Sequence, residues 1–318
     1  MASLKEYIKT LIRLDVFALG ILHISNQYIS SVSGSKNMLK TEAGTYYRWQ
    51  HGDVFYQKTG EGKPIVLLHD LNPAFSSFVW NEVTEELSKN YTVYSVDLPG
   101  CGRSVKERIE YTNYYYVIFL KDFIRDVVKK KTDILADGYS SSFALMASLA
   151  EDSIIRRIYA VNPLSIQELA SVGGKKEKIA MKLVSSPIIG TTIYNIEESR
   201  SNIDLSLTEK YLYNPFRSRN RFVDTCYEGS HYNNCAGKYL LASQNGKYTT
   251  VDIRKALEKS VNSFTILYGS RIDNSEDVVK SYQRINNTVT ATAIDNTRFL
   301  PQLERPEYFI EAFASVSV

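Results

Sequence analysis

The chain is poor in the residues that staple or ligate. Three cysteines, Cys101, Cys226 and Cys235, and four histidines, His23, His51, His69 and His231, are spread over 318 residues. An odd cysteine count at irregular spacing excludes a disulfide framework, and no cluster has zinc-ligand spacing. Reduced thiols in a cytoplasmic protein are expected, with neither metal nor cofactor. An excess of one charge is also missing: 38 Lys and Arg face 35 Asp and Glu, leaving +3. That balance argues against a nucleic-acid partner. No uninterrupted apolar run reaches the roughly 20 residues of a spanning helix. The composition, 44% hydrophobic and 23% charged, is that of a folded chain, so disorder is excluded. Tyrosine is abundant at 23 and suggests aromatic-lined surfaces or pockets.

Residues 4–29 carry apolar side chains at Tyr7, Ile8, Leu11 and Ile12, then almost continuously from position 16 to 24. Lys5, Lys9 and Arg13 precede that run, and Arg13, Asp15 and His23 interrupt the apolar character of residues 4–29. The pattern predicts an amphipathic helix, lying on a membrane surface or packed on the body of the protein. A signal segment is the alternative, although Asp15 is misplaced for one and no Ala-x-Ala site follows. Residues 30–35, rich in serine, read as a flexible linker that completes an N-terminal unit over 1–40.

From about Thr45 the pattern is that of strands. Residues 46–49 and 54–56 flank His51-Gly52-Asp53 as a hairpin, and residues 64–69 form a short apolar run suited to a strand covered on both faces. Further strands are predicted over 91–96, 133–136, 158–161, 264–268 and 288–294. Helices are predicted over 80–89, 115–129, 143–150 and from Pro306 through Phe313. Strand and helix in alternation imply a mostly parallel twisted sheet with helices on both faces. The alternation stops for about 100 residues after Asn162, too long for an ordinary connection. Helical pieces at 175–184 and 218–227 suggest a helical cap insertion over 164–258, between core segments 41–163 and 259–318.

Five segments, in order, carry a family resemblance: Leu67-Leu68-His69-Asp70-Leu71; Asp97-Leu98-Pro99-Gly100-Cys101-Gly102-Arg103-Ser104; Gly138-Tyr139-Ser140-Ser141-Ser142; Tyr268-Gly269-Ser270-Arg271-Ile272-Asp273; and Leu300-Pro301-Gln302-Leu303-Glu304-Arg305-Pro306. Together they resemble the α/β-hydrolase superfamily over roughly residues 45–318. The resemblance implies an α/β fold with a capped pocket and a Ser-acid-His triad. It puts Ser140 at the nucleophile position, with Tyr139 beside it in the pocket. The backbone amides of Leu71 and Ser141 would form the oxyanion hole. Asp70 stands where the family has glycine; an outward-facing turn role is the expectation, since a carboxylate turned into the pocket would oppose an oxyanion. His69 reads as structural. The family's acid position falls on Ile272, and a slip of one residue would let Asp273 serve.

The histidine position falls on Phe299, which accepts no proton, and no histidine follows His231. A serine hydroxyl is a poor nucleophile without a base. His231 in the cap is the candidate replacement, and Asp70 or Asp137 would need a raised pKa to serve. Three functions stay open: a serine hydrolase of unusual wiring on an ester, thioester or lipid-like molecule, a pseudoenzyme binding a small apolar ligand or a partner, or a cofactor-free non-hydrolytic reaction. Fold alone does not choose among them.

Overall fold

The structure, a computed structural model, describes residues 4–41, 43–217 and 220–317; for residues 4–12 and 14 it describes the backbone alone. In chain order the elements are α1 (Leu4–Ser33), β1 (Gly44–Trp49), β2 (Gly52–Thr59), β3 (Lys63–Leu68), α2 (Asn81–Ser88), β4 (Tyr91–Val96), α3 (Asn113–Phe123), β5 (Thr132–Asp137), α4 (Ser140–Ala150) and β6 (Ile155–Val161). An all-helical stretch follows: α5 (Ile166–Leu169), α6 (Lys175–Ser185), α7 (Ile189–Glu197), α8 (Arg200–Ser206), α9 (Asn220–Cys235), α10 (Lys238–Asn245) and α11 (Arg254–Lys259). The chain closes with β7 (Ser263–Gly269), α12 (Ser275–Ile285), β8 (Thr290–Ile294), α13 (Pro301–Glu304) and α14 (Pro306–Val316).

The eight strands make one sheet in the order β1-β2-β4-β3-β5-β6-β7-β8. β1 and β2 form the expected hairpin, β2 is antiparallel to β4, and every other pair is parallel. The central strands β3 and β5 are apolar because both faces are covered, with α3, α4 and α11 on one side and α2, α13 and α14 on the other. β3 leads to β4 on one flank and neighbours β5 on the other. The order in which strands are added therefore reverses between the parallel strands β3 and β5, and a crevice opens at their carboxyl ends. The register pairs Leu68 with Ala136. Two residues further along each strand, Asp70 and Gly138 are brought side by side.

Three readings need correction. The serines of residues 30–33 are not a linker: α1 continues through Ser33, and the Ser30 hydroxyl bonds Asn234 Oδ1 at 3.0 Å. Asn26 anchors the helix to α7 through Ile188 O and the Thr192 hydroxyl, both at 3.1 Å. Second, the turn after β5 is shorter than its serine-rich sequence suggested, since α4 begins at Ser140. Third, the helix expected over 218–227 is described only from Asn220; positions 218 and 219 lie outside the described residues. The helices α5, α7, α8, α10, α11, α12 and α13 were not anticipated. All three cysteines are free and buried.

One buried ion pair braces the loop after β4. Asp97, fully buried, accepts from Arg103 Nε at 2.7 Å and Nη2 at 2.9 Å and from the Ser77 and Arg103 amides at 2.8 and 2.9 Å. Burial alone would raise its pKa, but Arg103 holds it below the ordinary value. Removing one partner of such a pair strands a buried charge. Arg103→Met is expected to cost about 3–5 kcal/mol of stability, read as a lowered urea midpoint at unchanged m-value; a loss below about 1 kcal/mol would contradict this role.

Candidate functional site

The crevice at the β3 and β5 ends holds a cavity of about 360 Å³. Its walls include Asp70, Gly138, Tyr139, Tyr211, Ile272 and Phe299. In an α/β hydrolase the nucleophile sits on a strained strand-to-helix turn, and the residue after it gives one oxyanion-hole amide. Here the residue in that left-handed turn is Gly138, at φ +53°, directly after β5. Tyr139 already has right-handed helical geometry, at φ −55° and ψ −32°. The elbow thus spans residues 136–140, Ala-Asp-Gly-Tyr-Ser, two residues earlier than the expected Gly138–Ser142 segment. Ser140 lies in the first turn of α4, fully buried, and its hydroxyl donates to the His69 carbonyl at 2.5 Å. Ser140 is therefore corrected from nucleophile position to packing residue.

The oxyanion hole shifts with it. Ser141 N donates to Gly138 O within the helix turn and does not face the crevice. The amides that converge are those of Leu71 and Tyr139, and both donate to Asp70 Oδ1 at 2.8 Å. The expectation that Asp70 turns outward fails for a definite reason: its backbone partners are these two amides, so satisfying them puts the carboxyl in the crevice. A Cβ added to Gly138 would overlap the Asp70 carboxylate. A carboxylate from the β3 loop thus fills the space that a nucleophile's side chain and a developing oxyanion would need.

The neighbours set its charge. Burial pushes the Asp70 carboxyl up to about 6, against the lowering effects of the two amides and of Lys210. Burial and the nearby Asp70 hold Asp137 well above the usual carboxyl range, with Gln302 Nε2 bonded to its Oδ2 at 3.3 Å. Like charges in one dry site do not both ionise. Lys210 caps the crevice from the helical stretch, 5.0 Å from the Tyr211 ring and 5.9 Å from the Phe299 ring.

The other predicted residues lie as follows. Phe299 is at the cavity wall, its amide bonded to Tyr211 O at 3.0 Å. Ile272 also lines the cavity, half-buried, while Asp273 is exposed at its rim and makes no hydrogen bond to a described residue. His231 is not brought to Ser140. Its Nδ1 lies 2.8 Å from Tyr227 O and 2.9 Å from the Ser230 hydroxyl, its Nε2 has no partner, and it borders a separate cleft beside residues 30–35. Burial lowers its pKa to about 4, so it is a weak base. His69 is structural: Nδ1 donates to Asp70 O at 2.7 Å and Nε2 accepts from Leu98 N at 3.0 Å. That neutral tautomer agrees with a pKa lowered to about 4 by burial.

Sequence reasoning missed Gly138 and Asn162. The Asn162 side chain accepts from Gly269 N at 2.9 Å and donates to Arg298 O and Phe299 O, both at 3.1 Å, tying three strand ends beneath the cavity. Its position just after β6 was the available signal. Among the described residues no group of His, Cys, Asp and Glu is arranged to hold a metal ion.

No family model matches the sequence. A 2-hydroxy-6-oxo-6-(2'-aminophenyl)hexa-2,4-dienoic acid hydrolase of Metapseudomonas resinovorans is 28% identical over 105 residues, 32% of this chain and 36% of that protein. A pimeloyl-[acyl-carrier protein] methyl ester esterase of Nitrosomonas europaea is 26% identical over 119 residues, 37% of this chain and 40% of that protein. The matches thus span well under half of these relatives. Among solved structures, the epoxide hydrolase CorEH superposes with TM-score 0.70 at 16% identity, covering 86% of this chain and 99% of that one. Naproxen esterase from Bacillus subtilis gives 0.64 at 15%, covering 93% and 98%. At such identities the structural likeness is one of fold. The chain therefore has the α/β-hydrolase fold, with partial sequence likeness to hydrolases and esterases over about a third of its length.

Asp70 gives a pH prediction. Its folded pKa of about 6 lies above the ordinary value of 3.8. Its favourable contribution is therefore complete below the unfolded pKa and is lost as pH rises through about 6. Asp70→Asn retains an oxygen for both amides and cannot ionise. Relative to the parent it should gain stability between pH 4 and 7, by about 2–3 kcal/mol in all. Parallel pH–stability curves for the two proteins would refute the assignment.

Proposed function

We propose that this chain is a non-hydrolytic α/β-hydrolase-fold protein that binds a small, largely apolar molecule in the Asp70 cavity. The observation that carries the reading is the Asp70 carboxylate seated on the Leu71 and Tyr139 amides above a side-chain-free Gly138. A carbonyl oxygen turning negative there would meet a carboxylate instead of two donors. With Phe299 at the histidine position, no imidazole borders the cavity to accept a proton. Asp70 lines the cavity and its Oδ2 accepts no hydrogen bond from a described residue, so it suits a hydroxyl or amine on an otherwise apolar ligand.

A fluorophosphonate probe and the neutral dye Nile red test the two halves together. No covalent labelling is expected, and dye uptake should be saturable and weakened by Ile272→Trp, which fills the cavity. Labelling that disappears in Ser140→Ala would restore the serine hydrolase. A second reading, cofactor-free proton transfer by Asp70, draws support from a carboxyl pKa of about 6 at the position of the missing nucleophile. It requires Asp70→Asn to bind the ligand yet leave it unaltered.

We also propose contact with a lipid surface through α1. Phe17, Ile21, Ile24 and Tyr28 form one stripe at helical spacing, between 50 and 70% exposed. Lys5, Lys9 and Arg13 supply the basic character that interfacial helices use on anionic lipid. No helix among the described residues is long and apolar enough to cross a membrane. The full chain should sediment with phosphatidylglycerol vesicles, and Phe17→Glu with Ile24→Glu, both at exposed positions, should abolish this. Undiminished sedimentation of that variant would refute the contact.

A further inference from the structure

A second cavity, of about 540 Å³, lies between α1 and the helical stretch, away from the Asp70 site. Four basic side chains line it: His23 from α1, Lys106 and Arg108 from the loop after β4, and Lys238 from α10. No Asp or Glu lines it. None of the four forms an ion pair with a described residue.

Burying cations without an ion-pair partner is unfavourable, and two buried lysines, Lys106 and Lys238, line this cavity. Lys106 is 4% exposed, and its Nζ is met only by the carbonyls of Gly229 at 3.1 Å and Gly100 at 3.4 Å. Burial lowers its pKa to about 8. Lys238 Nζ is held by Ser186 O and the Thr191 hydroxyl, both at 2.8 Å, and burial with the repulsion of Arg108 lowers its pKa. Arg108 is exposed at the cavity wall. One wall is Asn233, Asn234 and Cys235, three successive left-handed residues at φ 58°, 54° and 58°. Such a run without glycine is costly and persists where surrounding structure over-determines it.

We propose that this cavity binds a phosphate-like anion, as inorganic phosphate or as the phosphoryl group of a small molecule. A dianion would supply the counter-charge that Lys106, Arg108 and Lys238 lack. The source is soluble, because the α1 residues that line the cavity, His23, Asn26, Gln27 and Ser30, lie on the face of the helix opposite the apolar stripe.

Calorimetric titration with inorganic phosphate and with glycerol phosphate, against chloride at matched ionic strength, reads the site directly. Saturable binding of one of these phosphates and not of chloride is expected. Arg108→Gln should weaken it severalfold and Lys238→Gln about tenfold, with far-ultraviolet circular dichroism unchanged. Arg108 is exposed, so its variant stays informative even if Lys238→Gln misfolds. A parallel arm uses phosphatidylcholine vesicles with and without phosphatidic acid, on the Phe17→Glu, Ile24→Glu background to remove the stripe. Vesicle binding there that depends on Arg108 and phosphatidic acid, without binding of free phosphate, would overturn the soluble source. Failure of both arms, or phosphate binding indifferent to Arg108→Gln and Lys238→Gln, would overturn the site.

Discussion

The Asp70 carboxylate on its two amides governs the rest of the crevice. Leu71 and Tyr139 come from different loops, one after β3 and one after β5. A single oxygen accepting from both fixes the distance between those loops as firmly as a backbone ladder would. It also sets the identity of residue 138, because any side chain on that left-handed residue would overlap the carboxylate. The geometry that orients an oxyanion in a hydrolase here satisfies the protein's own acid. The amides are not left unpaired, and the buried acid is not left without donors.

The electrostatic consequences follow from dryness. Phe299 and Ile272 stand where the family carries a base and an acid, and both are apolar. With Tyr211 closing the wall, they limit the water that would stabilise a negative Asp70. Asp137 lies close by and is kept neutral by burial and by Asp70. Four carboxyl groups line the crevice: Asp137 is held neutral, Asp70 ionises as pH rises through about 6, and Glu168 and Asp273 stand exposed at its rim. Lys210 at its mouth is the nearest cation acting on Asp70 and is shared with two aromatic rings. A ligand entering meets the apolar side chains of Ile272 and Phe299 beside the Asp70 carboxyl, with Glu168, Lys210 and Asp273 also lining the cavity.

Much of this was legible in residues alone. Apolar runs flanked by turns located the core strands, and Asp97 with Arg103 sat where the motif order put them. Phe299 lines the cavity at the end expected of it. The register of the elbow was not legible, because Gly138-Tyr139-Ser140 fits the signature with either Gly138 or Ser140 at the turn. What separates the two is a backbone dihedral, and glycine is the residue a left-handed turn favours. The direction of Asp70 depended on the same choice, since the cradle moves from Ser141 to Tyr139 with the elbow. The helices α8 and α10 are short and carry no clean apolar period, whereas α7 has Ile189, Ile193 and Ile196 at a helical spacing that sequence reasoning missed. The serines of α1 read as a linker because intrinsic preference is weak where tertiary contacts such as Asn26 with α7 decide.

Four departures from the family pattern meet at one point, and they are not independent. Glycine at 138 leaves room for the Asp70 carboxylate, and Asp70 consumes the amides that an oxyanion would use. A consumed cradle leaves a histidine at 299 or an acid at 272 with no reacting atom to serve. Apolar residues at 299 and 272 in turn keep the site dry and raise the acid's pKa. Asp70 opposite any side chain at 138 would clash, and the two amides without Asp70 would lose their acceptor; together Asp70 and Gly138 avoid both. Local choices that agree with one another define a single stable arrangement. The fold shared with an epoxide hydrolase at TM-score 0.70 is maintained by strand register and buried pairs such as Asp97 with Arg103, on which the chemistry of the strand ends has no bearing.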